Sequence, residues 1–254
     1  MTIIADATTS SQVVGVIHNR RPVPEELKEL YTPPTRLCPV CALPSPAEQV
    51  ANLLLWFPEL AGYARRMRKI AIGPHGHPRP HMEGWLVAPR LGLLGTTHAA
   101  ATHRVIEVAT EVLNLHIQAD LKSKGTLRLT ERTAAGLQRW PNNDPALVMP
   151  VQLGRDLCGF TAGALPAMLE DTRSNHEWAL PVAYGLCALM QAPARLSADE
   201  HLGMTFAGDL VLANGSRNSL DRYLSVICFH DRRDLQFYAE NCDGGDCGIP
   251  TAWR

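Results

Sequence analysis

Cys38-Pro-Val-Cys41 sets two thiols two residues apart around a proline and a valine. A tight turn of this kind aims both sulfurs to one side, and a pair of thiolates supplies half of a tetrahedral zinc site. The other half has two candidate sources. One is Cys242 and Cys247 in the run Cys-Asp-Gly-Gly-Asp-Cys, where the glycines let the loop fold both sulfurs onto one ion. A closed site of Cys38, Cys41, Cys242 and Cys247 ties an N-terminal arm to the end of a C-terminal sheet, with Zn2+ as a structural cofactor. The other source is His75, His77 and His81 in His-Gly-His-Pro-Arg-Pro-His, two of which complete a mixed site with Cys38 and Cys41. Long gaps between ligand pairs are compatible with zinc, so spacing leaves both open. A reduced, metal-free pair is the third reading.

The histidine run also suggests catalysis. On an extended segment His-x-His puts two imidazoles on one side. Catalytic zinc sites use such a pair with a carboxylate and keep one position for water. The run compares with the H-x-H-x-D-H motif of metallo-β-lactamase-like hydrolases but differs at two positions. Arg79 stands at the Asp position and Pro80 follows it. A hydrolase centred here needs a carboxylate recruited by folding, such as Glu83 or Asp209.

The stretch before the histidines has a chemistry of its own. From Leu60 to Met82 there is no acidic residue. Helical spacing puts Leu60, Tyr63, Ala64, Met67 and Ile70 on one face and Arg65, Arg66, Arg68 and Lys69 on the other. Together with Arg79 these cations are candidate contacts to a phosphate backbone, and Tyr63 and Trp85 are placed to stack on bases. The blander account of the same pattern is the solvated face of a core helix. The partners expected are a nucleic acid or ribonucleoprotein, or another protein.

Motifs that name a reaction are missing. There is no G-x-S-x-G nucleophile elbow and no Walker A loop. In Arg-Leu-Gly-Leu-Leu-Gly, Arg90 stands where a dinucleotide fingerprint has its first glycine. Cys158, Cys187 and Cys228 lie in apolar surroundings, and Cys187 has no basic neighbour to activate it. The expectation is a zinc-stabilised binding or scaffold protein rather than an enzyme. A metal-dependent hydrolase and a metal-free interaction module are the alternatives.

Composition bounds these readings. Of 254 residues 46% are hydrophobic and 19% charged, as in a folded globular chain. A net charge of -1 excludes a globally basic nucleic-acid binder, so such binding needs a local patch. No apolar run approaches the ~20 residues that span a bilayer. The N-terminus lacks a basic stretch followed by an apolar one, and seven cysteines are too few for a disulfide scaffold, which suits a cytoplasmic protein. The Ala/Arg/Leu-rich composition suits a prokaryotic or mobile-element source.

The elements that must position these groups read as an α+β fold. Residues 1–45 form a Pro-rich arm with the cysteine pair and a short acidic helical stretch, Glu25 to Leu30. Residues 46–140 are mainly helical: Ala47 to Phe57 as a buried helix, Glu59 to Ile70 behind Pro58, and Arg104 to Gln118 with His116 on its inner side. A shorter helix starts near Thr130 and stops before Pro141. Lys69 to Gly73 reads as a short strand leading into the histidines, and Gly84 to Leu94 as a strand broken at Pro89. Trp-Pro-Asn-Asn-Asp-Pro is a turn cluster where either a domain boundary falls or two regions of a single interleaved domain join. Residues 141–254 follow as an α+β region with a C-terminal β-meander. It holds a buried strand from Ala146 to Leu153 and helices Thr161 to Glu170 and Pro181 to Gln191. Its strands run from Met204 to Ala213, Arg222 to Phe229 and Leu235 to Ala239.

Overall fold

The computed structural model describes residues 23, 25–30, 42–73, 75, 82–117, 125–154, 157–160, 164–171, 176–196, 203–213, 222–229, 232–239 and 247–253. Within these the chain is α+β. Its helices are α1 (Pro46–Trp56), α2 (Ala64–Ala71), α3 (His98–Leu113), α4 (Glu131–Leu137), α5 (Leu165–Asp171) and α6 (Val182–Gln191). Its strands are β1 (Gly84–Pro89), β2 (Leu115–Ile117), β3 (Gly125–Leu129), β4 (Ala146–Gly154), β5 (Trp178–Ala179), β6 (Gly203–Ala213), β7 (Arg222–Phe229), β8 (Arg232–Ala239) and β9 (Cys247–Ala252).

The strands join in the order β1-β4-β9-β6-β7-β8-β2, with β3 beside β6 and β5 beside β9. Most neighbours are antiparallel; β2–β8 and β6–β9 are parallel. The hairpin of β7 and β8 pairs Arg222 with Ala239 and Phe229 with Arg232. The last strand sits inside the sheet rather than at its end. β9 sets Ala252 opposite Val151 on β4 and Cys247 opposite Gly203 on β6. Strands from both halves of the chain therefore share one sheet, since β1 pairs with β4 and β3 with β6.

Local chemistry explains where the helices begin. Ser45 caps α1 through a capping box: Glu48 N–H donates to Ser45 Oγ, and Ser45 N–H donates to Glu48 Oε2 at 2.9 Å. Thr97 and Thr130 cap α3 and α4 through their hydroxyls. The α1 helix buries only Gln49, Val50 and Leu53, while Leu55 is exposed, so it lies as one stripe on the core rather than inside it.

The α3 helix starts six residues before the expected Arg104 and stops at Asn114, whose φ of 52° is left-handed and ends the helix. The next residues become β2. His116 is therefore on a strand and exposed, its Nδ1 lying 3.4 Å from buried Asp234, instead of on the inner face of a helix. Lys69 to Ala71 are helical, so the short strand expected there is the end of α2.

The core is built around α6, every residue of which is buried. A helix apolar on all sides must be covered on all sides. Two glycines permit the close approach. A Cβ on Gly185 would stand 2.1 Å from the Phe206 ring, and one on Gly208 would stand 2.5 Å from Ala179 O. The sheet edge at β1 is closed by a side chain. Gln49 Nε2 donates to Trp85 O at 2.7 Å, and Gln49 Oε1 accepts from Val87 N–H at 2.8 Å. One amide thereby mimics a neighbouring strand.

Candidate nucleic-acid interface

The cations of the basic stretch belong to α2. Phe57 and Pro58 lead into a 3-10 helix, Pro58–Tyr63, which bends into α2 at Ala64. Leu60, Met67 and Ala71 are buried, whereas Tyr63, expected on the same face, is exposed because the chain changes helix type there. Arg65, Arg66, Arg68 and Lys69 all project to the surface. Arg68 and Lys69 also stand in the last turn, where the helix dipole favours positive charge.

Their surroundings differ. Arg66 Nη2 reaches Asp144 Oδ1 at 3.2 Å. Arg65, Arg68 and Lys69 have no carboxylate partner among the described residues. With Ile72 and Gly73 they line an open hollow of about 500 Å³ whose walls are largely carbon, which is what the stems of long cations and an isoleucine provide. Ile72 was legible only as part of a strand; the structure makes it the exposed end of α2, 74% accessible.

His75 closes the helix. Its Nε2 lies 2.9 Å from Ile70 O, and since a carbonyl only accepts, that nitrogen carries the proton. The ring rests against Trp85 with centroids 5.4 Å apart, so Trp85 packs on His75 as well as belonging to β1. This imidazole thus acts as a cap on the last turn of α2.

The remaining candidates separate into two groups. Cys38, Cys41, Cys242, His77, His81 and Arg79 lie outside the described residues. Cys247 begins β9. Among the described residues no group of three or more His, Cys, Asp and Glu is arranged to hold a metal ion. The carboxylates considered for a hydrolase have structural partners. Glu83 Oε1 accepts Leu153 N–H at 2.9 Å. Asp209, wholly buried on β6, accepts from His98 Nε2 at 2.6 Å and from Val182 N–H at 2.8 Å.

The His98–Asp209 pair has no signal in the sequence, because 111 residues separate its members. Pro181 precedes α6 and has no side-chain cap to give, so Asp209 serves that end of the helix from another strand. Cys187, one turn into the same helix, is fully enclosed. Burial pushes its thiol up to about 12, the reverse of what a nucleophile needs. Burial likewise pushes the Tyr184 hydroxyl above its ordinary range, with Cys187 adding to the effect.

These features define an α+β protein with an exposed cationic helix beside a shallow hollow. No protein family, curated protein or solved structure matches the chain. Among the described residues no helix is long and apolar enough to cross a membrane.

Proposed function

We propose that this chain is a binding protein that engages the phosphate backbone of a nucleic acid or ribonucleoprotein through α2. The observation that carries this reading is the stripe of Arg65, Arg68 and Lys69 around an open hollow, with no carboxylate partner among the described residues. A merely solvated face usually mixes both signs of charge. Here the sequence from Leu60 to Met82 holds no acid, within a chain of net charge -1. The positive potential is thus local, which suits a docking patch of limited size.

A structural zinc on Cys38, Cys41, Cys242 and Cys247 belongs to the same proposal. It would tie the arm to the sheet and leave binding to α2. Thiolates are the natural donors for such a closed site.

The test is fluorescence anisotropy of a labelled oligonucleotide, against the chain and against the combined Arg65→Ala, Arg68→Ala, Lys69→Ala variant. The chain is expected to bind with a log–log salt slope of about -2 to -3 for three phosphate contacts, and the variant to lose most of both affinity and slope. Binding unchanged in a folded variant would remove α2 from the site.

A further inference from the structure

We infer that the ligand of this face is single-stranded nucleic acid, with an unstacked base seated against Ile72; the inference rests on the phosphate-binding reading above. Residues at i, i+3, i+4 and i+7 of a helix share one stripe. Arg65, Arg68, Lys69 and Ile72 are such a set, and Ile72 keeps helical dihedrals (φ -84°, ψ -7°), so it continues the stripe of cations. Its side chain is 74% accessible. A large aliphatic group exposed among three cations suits a ligand that offers both negative charge and apolar surface.

A duplex is the wrong shape for this. Its bases are stacked inward, and what it shows to a flat helix face is phosphate and sugar. In the major groove an aliphatic side chain such as Ile72 meets only a thymine methyl, a smaller contact than the whole face of an unstacked base. A single strand offers both parts together: phosphates for Arg65, Arg68 and Lys69, and a flat base face for Ile72. An anionic lipid surface also combines charge with apolar matter, but interfacial helices dip a continuous apolar row into it. The apolar row of α2, Met67 and Ala71, is buried against the core, which leaves Ile72 as a single exposed aliphatic group rather than part of a row.

The experiment compares labelled oligothymidine, a duplex of equal length, and phosphatidylserine vesicles, each with the full chain, with Ile72→Ser and with the Arg65/Arg68/Lys69 alanine variant. Circular dichroism confirms that each variant is folded; Ile72 is exposed, so its change leaves the core untouched. The single strand is expected to bind roughly tenfold more tightly than the duplex, and Ile72→Ser to lose roughly threefold to tenfold for the single strand alone, at unchanged salt slope. Equal binding of single strand and duplex, indifferent to Ile72→Ser, would overturn this inference and leave phosphate binding standing. Binding of neither oligonucleotide would overturn both. Vesicle binding that depends on Ile72, without oligonucleotide binding, would overturn both in favour of a lipid surface.

Discussion

His98 Nε2 and Asp209 Oδ1 lie 2.6 Å apart, one at the first residue of α3 and the other buried on β6. The second oxygen of Asp209 holds the first N–H of α6. One carboxylate thus joins two helix starts to the sheet, and its removal leaves a buried N–H without an acceptor. Asp209→Ala is expected to lower stability by about 2–4 kcal/mol, and a double-mutant cycle with His98→Ala to return a coupling of about 1 kcal/mol or more. Urea unfolding measures both; additive effects would mean that the two side chains act independently.

The closure of the β1 edge by Gln49 makes a second prediction. Gln49→Leu keeps the volume but leaves Trp85 O and Val87 N–H without their side-chain partner. It is expected to cost about 2–4 kcal/mol, with faster hydrogen exchange at Val87 than elsewhere in β1. An equal change at every amide of β1 would argue against a local edge cap.

Cys187 sets an alkaline limit. Its thiol has an ordinary value of 9.0 and is pushed up to about 12 by burial. Between those values the unfolded chain releases a proton that the folded chain retains, so stability falls as pH rises. The contribution is intact below pH 9.0 and declines toward about 12. Tyr184 acts in the same direction from a higher starting point. Cys187→Ala is expected to flatten the first part of this decline in unfolding curves taken at increasing pH. In the native chain Cys158 and Cys187, both buried, are expected to resist alkylation that labels them at once in denaturant.

Zinc is tested directly by elemental analysis of untagged protein purified without chelator, with thiols counted before and after metal release. About one zinc per chain with four protected thiols beyond the buried ones is the expected result. Zinc with only two protected thiols would bring His75, His77 and His81 into the site instead. No metal would remove zinc from the proposal.

Much of the local structure is legible in the sequence because its causes are local. Thr130 before α4, and the apolar runs that become β4 and α6, depend on caps and composition that neighbouring residues supply. The start of α3 is not legible in this way. His98 to His103 is rich in alanine and shows little periodicity, and what holds it is Thr97 on one side and Asp209 on the other. The short strands β2 and β5 exist because partners elsewhere hydrogen-bond to them, and a two- or three-residue segment has no period to read.

By itself the sequence determined the α+β class, the placing of most helices and strands, and the concentration of positive charge on one helix face, since caps, apolar periodicity and charge order act over a few residues. The tertiary structure alone decided that β9 runs between β4 and β6, that Gln49 closes the edge of β1, and that Asp209 meets His98. Each of these depends on groups distant in the chain that meet only after the core has packed. No local rule fixes which distant carbonyl, amide or carboxylate will satisfy a buried polar group; only the shared geometry of the folded chain does.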